Sequence, residues 1–264
     1  MTYFVAIILG FVEGATEFIP ISSSGHLIIF RQILGVNSFG GLAFDAMLQL
    51  SASLAILVYF WEDVLHLIQD TWKIITKQNL EQQNKMMLYA ILIGTIPAIV
   101  FGLLFEQWME TVFRNIELVA LTLVLGSILF WYAEKVAKQD KLLSLGRGVI
   151  VGFFQCLALV PGVSRSGATI SGGLIVGLSK DEAVRFSFLL SLPILLGAGL
   201  KKVFEVRAEL FSANFGLPLF LGSVTAFITG LIAINFLIKY LKNHNLNIFI
   251  WYRVILATIL FLVF

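Results

Sequence analysis

Long apolar stretches recur along the whole chain and constrain its fold more than any other feature. The hydrocarbon core of a bilayer is roughly 30 Å thick, and a helix needs about 20 mostly apolar residues to cross it. A water-soluble globular fold is excluded because 59% of the residues are hydrophobic and only 13% are charged. The sequence therefore predicts an all-α polytopic membrane protein. Six stretches qualify, or nearly qualify, as transmembrane helices: 42–60, 86–105, 117–134, 184–200, 216–238 and 249–264.

Charge and cysteine content exclude several other classes of protein. The formal net charge of +2 is too small to indicate a nucleic-acid partner. Cys156 is the only cysteine, so the chain forms no intramolecular disulfide. The first apolar stretch opens without Lys or Arg and contains Glu13 and Glu17, so it is not expected to be a cleaved signal peptide. We expect the start of the chain to belong to the fold.

Two further apolar regions, 3–34 and 148–178, differ from the six stretches. Each is interrupted near its middle by small, polar, helix-breaking residues, PISSSGH at 20–26 and PGVSRSG at 161–167. The arms on either side are about 10 to 16 residues long, which is too short to cross a bilayer alone. Both regions are therefore predicted to be re-entrant helical hairpins.

The two interrupted regions match each other when the sequence is shifted by 142 positions. This register predicts a duplicated unit, with one repeat at 1–141 and the second at 142–264. Each repeat would contain one re-entrant hairpin and three transmembrane helices, and an odd number of crossings turns the second repeat upside down. The fold is therefore predicted to be an inverted repeat. The aligned pairs include Gly10 with Gly152, Ser22 with Ser164, Ser24 with Ser166, Gly25 with Gly167 and Gly35 with Gly177.

Lys and Arg residues are distributed unevenly between the two sides of this topology. The side that carries more of them is expected to be cytoplasmic. The N-terminal hairpin then enters from the outer face and the C-terminal hairpin from the inner face, so that their broken tips meet inside the membrane. The residues on the predicted cytoplasmic side are Lys73, Lys77, Lys85, Lys135, Lys138, Lys141, Arg147, Lys180, Lys239 and Lys242.

Glu13 and Glu17 are two carboxylates on one face of an otherwise apolar helical arm. Two unpaired carboxylates buried side by side in a membrane are costly, so they need a cation, a proton or a basic partner. The alternative is a helix end at a wet interface with both groups solvated. We predict that Glu13 and Glu17 bind a divalent metal ion.

Ser22, Ser23, Ser24 and Gly25 follow Pro20, a composition suited to a tight turn whose N–H groups and hydroxyls converge on an anion. Helix resuming after the turn would add a positive N-terminus. Small residues also allow close helix packing, which is the alternative explanation for this run.

Arg165 stands in the second turn at the position that Ser23 occupies in the first. Its flanking residues, Ser164, Ser166 and Gly167, repeat the pattern of the first turn. An arginine at membrane depth needs an anion or a carboxylate, and its planar fork suits phosphate. A structural salt bridge between Arg165 and Glu17 is the competing explanation.

Two more polar residues fall in or near these regions. His26 directly follows the first turn and is a candidate general acid or base, nucleophile or metal ligand. Gln155 aligns with Glu13 in the repeat, where it either forms a hydrogen bond across the pseudo-twofold axis or is an ordinary packed polar residue. Together the candidate groups can hold a phosphate or diphosphate bridged to a hard divalent cation. A phosphate ester with a lipid tail fits the membrane location best.

The segments EGATEFIPISSSGH at 13–26 and PGVSRSGATI at 161–170 resemble the two signatures of the undecaprenyl-diphosphatase, or bacitracin-resistance, family. The resemblance implies hydrolysis of undecaprenyl diphosphate to undecaprenyl phosphate in the bacterial inner membrane, for cell-wall synthesis. It also implies a cofactor such as Mg²⁺ or Ca²⁺ and a site facing outward. The family's essential groups fall on Glu13, Glu17, Ser23, Ser24, His26, Ser164 and Arg165, although threonine is common in relatives at position 24.

For this hydrolysis we predict that Ser23 is the nucleophile and that His26 assists it. His26 itself and water are the alternative nucleophiles. A transporter, such as a lipid-carrier flippase, is the main alternative function because inverted repeats with broken helices are also typical of transporters. The phosphatidic-acid phosphatase superfamily fits less well, since its second motif needs a histidine where this chain has Ser171. Membrane lipids are expected partners, and the sequence leaves open whether the chain forms a homodimer.

Overall fold

The computed structural model describes residues 2–36, 41–111, 115–205, 207 and 216–263. Over these residues the chain is all-helical, as predicted. Their eleven helices are α1 (Tyr3–Phe18), α2 (Ser23–Ile33), α3 (Gly41–Tyr59), α4 (Trp61–Ile75), α5 (Gln82–Thr111), α6 (Ile116–Val136), α7 (Leu145–Leu157), α8 (Arg165–Ile175), α9 (Lys180–Glu205), α10 (Gly216–Leu241) and α11 (Asn247–Val263).

Four described helices are long and apolar enough to cross a membrane: Gln82–Phe105 within α5, α6, α9 and α10. Helix α3 runs into α4 through a bend of 82° at Phe60, so this pair is a fifth candidate span. Helix α11 is apolar but only 17 residues long, and Phe264, which ends the predicted sixth stretch, lies outside the described residues. The chain is thus a multi-pass membrane protein with apolar spans.

Large apolar side chains cover the outside of these helices. Leu104 on α5, Phe220 on α10 and Trp251 on α11 are all more than half exposed. In water such a surface would cause aggregation, whereas in a bilayer the lipid tails cover it. The exposed apolar faces of these helices are therefore the surfaces that contact lipid.

Helix α4 is a feature that the sequence did not predict. It follows the bend at Phe60, and its exposed apolar residues recur at helical spacing along one face. An amphipathic helix of this kind is typical of the membrane surface. The exposed apolar residues are Trp61, Ile68, Trp72 and Ile75.

The two interrupted regions each form a pair of short helices that pack against each other, α1 with α2 and α7 with α8. Their lengths are 16 and 11 residues for the first pair and 13 and 11 for the second, which confirms the short arms. In both pairs the chain turns at a serine with a φ of 74°, Ser22 in one and Ser164 in the other. Each of these serines caps the following helix by accepting the N–H of a glycine, Gly25 or Gly167, at 3.3 Å.

Close glycine contacts hold the first helix of each pair against a long helix. Helix α1 packs on α10 with Gly10 against the backbone of Gly222, and α7 packs on α5 with Gly152 against the backbone of Gly94. A Cβ at Gly10 or Gly152 would collide with backbone atoms that cannot move aside. These contacts place both turns at fixed positions inside the bundle.

Candidate active site

The two turns share a cavity of about 350 Å³. It brings together seven of the predicted site residues, from both halves of the chain, and Gln155 lines it as well. Apolar side chains from α2 and α9 form part of its wall, among them Leu27, Ile28, Ile194 and Leu195, and Lys201 and Lys202 of α9 also line it. The seven predicted residues are Glu13, Glu17, Ser22, Ser23, Ser24, Ser164 and Arg165.

Glu17 links the two turns. Its Oε1 accepts a hydrogen bond from Arg165 Nη2 at 2.8 Å, and its Oε2 accepts one from the hydroxyl of Ser23. The Glu17 side chain is 4% exposed and that of Arg165 is 16% exposed. The salt bridge that competed with anion binding is therefore present. It does not use the whole guanidinium, because Arg165 Nη1 is buried without a hydrogen-bond partner among the described residues.

The turns also touch through their backbones. The N–H of Gly162 donates to Ser22 Oγ at 2.9 Å, which joins the second turn directly to the first. Gly162 has a φ of +98°, and a Cβ there would collide with Thr122 on α6. Thr122 in turn donates to the carbonyl of Pro161 at 2.6 Å. Glycine is required at position 162 both by backbone conformation and by space.

Two helix N-termini meet at this cavity. Helix α2 begins at Ser23 and helix α8 begins at Arg165, and both residues line the cavity. The free N–H groups and the positive end of the helix dipole at each N-terminus attract an anion. With Arg165 added, the site has the charge and the donors to hold a diphosphate.

Glu13 is almost fully buried, at 1% exposure, and Glu17, Asp45 and Arg165 are near enough to act on it electrostatically. No group of three or more His, Cys, Asp or Glu side chains is placed to hold a metal within the described ranges. Two carboxylates suffice for Mg²⁺, which keeps several waters and binds through one or two carboxylates plus substrate phosphates. The donor set of Glu13 and Glu17 therefore fits a hard divalent cation that arrives with a phosphorylated substrate.

His26 lies beside the turn, and both of its ring nitrogens are engaged. Nδ1 donates to the carbonyl oxygen of Ser22 at 2.7 Å, and Nε2 lies 2.7 Å from the hydroxyl of Tyr252 on α11. The carbonyl can only accept, so in the neutral ring Nε2 is the acceptor and Tyr252 the donor. His26 is not among the residues that line the cavity. Its catalytic assignment stays a prediction.

The remaining predicted residues shape the turns. Ser24 lines the cavity and lies 3.4 Å from Ser22 Oγ, and Ser166 Oγ lies 3.3 Å from that of Ser164. Gly25 and Gly167 donate their N–H groups to the capping serines. The local geometry of the first turn is thus repeated in the second.

Arg253 on α11 is a residue that the sequence reasoning missed. It is fully buried, and no carboxylate of the described ranges pairs with it. Its guanidinium lies over the Phe130 ring at 4.6 Å. Being a charged residue within an apolar stretch, it carried a signal that could have been used. Its hydrogen bonds go to Pro20 O at 3.4 Å in the first turn, Gly162 O at 2.9 Å and Val163 O at 3.1 Å in the second turn, and Thr122 O at 3.4 Å, Leu123 O at 3.1 Å and Ser127 Oγ at 3.2 Å on α6.

Asp45 was also missed. It lines the cavity from α3, and its Oδ1 accepts hydrogen bonds from Arg31 Nε at 2.9 Å and Nη2 at 2.6 Å. This ion pair ties α3 to the end of α2 beside the site. An acidic residue near the end of a predicted span gave no pattern to distinguish it from a solvated interfacial group.

The family model described as "Bacitracin resistance protein BacA" matches residues 6–259. A protein named undecaprenyl-diphosphatase from Chloroherpeton thalassium is 40% identical over 267 residues, covering 97% of this chain and 94% of that protein. One of the same name from Moorella thermoacetica is also 40% identical, covering 100% of this chain and 98% of that protein. The chain therefore belongs to the bacitracin resistance protein BacA family.

Proposed function

We propose that this chain is an undecaprenyl-diphosphatase of the bacterial inner membrane, which releases inorganic phosphate and leaves the monophosphate lipid carrier. The observation that carries the proposal is the contact of Glu17 with both Ser23 and Arg165. A hydroxyl, its proton acceptor and a cation for phosphate are thus within one cavity. Relatives that bear this enzyme name cover nearly the whole chain, which supports the assignment.

The wall of the cavity suits a lipid with a charged head. The polar turns form one part of the lining and apolar side chains of α2 and α9 form another. A diphosphate needs the former, and the first units of a polyprenyl chain are compatible with the latter. A soluble phosphorylated substrate would gain nothing from the apolar part.

In the first chemical step, Ser23 Oγ attacks the terminal phosphorus of the substrate. A bond forms between Oγ and phosphorus, the anhydride bond breaks, and undecaprenyl phosphate leaves with the electron pair of that bond. Glu17 takes the hydroxyl proton, since the Ser23 hydroxyl already donates to it. Arg165 and the two helix N-termini stabilise the charge that develops on the phosphate oxygens.

In the second step, water attacks the phosphoserine. The new oxygen bonds to phosphorus, the bond to Ser23 Oγ breaks, and inorganic phosphate is released. Glu17 returns its proton to Ser23 Oγ, one hydrogen of the water stays on the phosphate and its other proton passes to solvent, so the sum of the two steps consumes one water. His26, held by Ser22 and Tyr252, would position the turn that carries Ser23.

Glu13 and Glu17 would hold Mg²⁺ or Ca²⁺. The cation would supply charge neutralisation at the diphosphate oxygens. Treatment with EDTA is expected to abolish phosphate release, and added Mg²⁺ or Ca²⁺ to restore it. Full activity after dialysis against EDTA would contradict a metal-dependent reaction.

We infer that the two halves, 1–141 and 142–264, form an inverted repeat with re-entrant hairpins and an outward-facing site. The matched turns at Ser22 and Ser164 support this arrangement, as do the matched glycine contacts of α1 and α7. Single cysteines placed at positions 22 to 26, in a Cys156→Ser background, test the orientation. Labelling by an impermeant maleimide from outside is expected, whereas labelling only from the cytoplasm would overturn it.

Glu17→Gln tests the function directly. The amide cannot take the Ser23 proton or neutralise Arg165, so phosphate release from undecaprenyl diphosphate should fall about 10³-fold. The assay uses purified protein in detergent with Mg²⁺, and Glu62→Gln, at an exposed position of α4 outside the cavity lining, is the control. Wild-type protein that releases no phosphate with any divalent metal, yet moves the lipid across liposomes, would favour the flippase alternative.

A further inference from the structure

Gln155 is a buried residue of the cavity that the proposed reaction leaves unused. It lies near the C-terminal end of α7, at 2% exposure, and it lines the cavity with Glu13, Glu17 and Arg165. The shift of 142 positions pairs it with Glu13. The first half thus has a carboxylate where the second half has an amide.

Both polar atoms of this amide lack a hydrogen-bond partner among the described residues. Gln155 Oε1 and Nε2 are each buried without one, and so is Arg165 Nη1 in the same cavity. Buried polar groups in proteins are almost always hydrogen-bonded, and an unsatisfied one reduces stability. Three such atoms around one cavity indicate a ligand that completes their bonds.

The kind of ligand follows from the donors. Two of the three atoms, Gln155 Nε2 and Arg165 Nη1, carry N–H groups and need acceptor oxygens, whereas Gln155 Oε1 is an acceptor that needs a donor such as water. A neutral amide provides these donors without adding a negative charge, unlike a carboxylate. Phosphate oxygens are the acceptors that also suit Arg165 and the two helix N-termini.

We propose that Gln155 is a substrate-binding residue whose amide N–H groups donate to non-bridging oxygens of the diphosphate headgroup, next to Arg165 Nη1. This inference rests on the proposed function for the identity of the substrate. It assigns to α7 a direct part in binding. The residue is conformationally held by its burial, so little freedom is lost when the headgroup arrives.

The experiment measures both binding and turnover with the purified full-length chain in detergent. Methylenediphosphonate, a diphosphate analogue that cannot be hydrolysed at the bridging position, is the calorimetric probe. Gln155→Leu removes the donors at similar volume, and Gln155→Glu replaces the amide with a charge. Ser171→Ala is the matched control, because Ser171 Oγ is also buried without a partner but lies outside the cavity lining.

Gln155→Leu is expected to raise the Kd for methylenediphosphonate and the KM for undecaprenyl diphosphate about 10-fold, since it removes a hydrogen bond to a charged group. Its kcat should change less than its KM. Gln155→Glu should bind more weakly still, because it places a negative charge beside the anion. Ser171→Ala should bind and turn over like wild type.

Thermal unfolding separates binding from a structural role. Gln155→Leu removes two unsatisfied buried atoms, so the ligand-free Tm should stay the same or rise while binding weakens. A lower Tm with unchanged Kd would overturn the proposal.

The two proposals can fail separately. Wild-type turnover with normal binding by Gln155→Leu would refute this inference and leave the phosphatase function standing. Wild-type protein without turnover, but with methylenediphosphonate binding that Gln155→Leu weakens, would refute the function and support the Gln155 contact.

Discussion

The two turns at the centre of this molecule share one backbone conformation but carry side chains of different chemistry. Ser22 and Ser164 share the same left-handed φ, and each caps the helix that follows. Yet the residue after the cap is a hydroxyl, Ser23, in one turn and a cation, Arg165, in the other. The two turns therefore share a local backbone geometry but present unlike side chains, and these meet at Glu17.

The same division extends along the arms. The first half carries Glu13, Glu17 and His26, and at the matching positions the second half carries Gln155, Leu159 and Ala168. Acidic and nucleophilic groups are thus concentrated in one half, and neutral or positive donors in the other. A diphosphate between them would be held by one half and attacked by the other.

The largest effect is expected from changing the first turn, which carries the Ser23 hydroxyl. Ser23→Ala should lower kcat about 10³-fold or more, because it removes the attacking oxygen. Ser51→Ala, at a serine of α3 that does not line the cavity, is the control and should turn over like wild type. Phosphate release from undecaprenyl diphosphate is the measurement. Near-normal turnover by Ser23→Ala, with none by His26→Ala, would make the nucleophile assignment wrong.

The cationic side is tested by Arg165→Lys. Lysine keeps the charge but cannot pair with Glu17 and bind phosphate through a planar fork, so kcat/KM should fall about 10²-fold. Arg185→Lys is the control, since Arg185 pairs with Asp63 outside the cavity lining. Equal activities of the two variants would show that charge alone is sufficient at position 165.

Arg253→Lys separates the scaffold from the chemistry. A lysine cannot satisfy carbonyls of both turns and of α6 at once, so the free energy of unfolding should drop by about 3 kcal/mol. The readout is the Tm in detergent. Arg147→Lys serves for comparison because the Arg147 guanidinium donates to one carbonyl, that of Leu142. A Tm equal to that of wild type would mean that Arg253 does not hold the turns together.

The smallest effect is expected from Tyr252→Phe. The change removes one hydrogen bond to His26, which corresponds to about a 5-fold loss of kcat if the imidazole positions the turn. The rings of Tyr252 and His26 are stacked, and so are those of Tyr240 and His244, which lie outside the cavity lining. Tyr240→Phe is therefore the control and should have no effect. Indistinguishable kinetics for the two variants would deny His26 a positioning role through Tyr252.

The sequence predicted the helical class, the short arms and the broken turns because these follow from local patterns. Apolar length, helix-breaking residues and a repeated register can all be recognised without coordinates. The meeting of Glu17 with Arg165 was also within reach, since both residues are costly in a membrane unless they are paired. The bend at Phe60 and helix α4 were not predicted, because an amphipathic segment after a span resembles an ordinary loop.

Contacts from the last helix were beyond sequence reasoning. Nothing in the sequence marks Tyr252 as a partner of His26, and Arg253 has no acidic residue at helical spacing to suggest its target. Their roles depend on where α11 packs, which is against α6. That packing is a long-range property, and no local pattern in 247–263 encodes it.

The glycine contact between Gly10 and Gly222 has a consequence for how the protein is made. Helix α1 leaves the ribosome before its close-fitting neighbour α10, and helices α2 to α9 lie between them in the sequence. The arm that carries Glu13 and Glu17 therefore lacks its packing partner until α10 has been synthesised. Completion of the candidate active site is deferred until α10 has entered the bilayer, so we expect a product truncated before α10 to lack activity even though it contains Ser23 and its carboxylates.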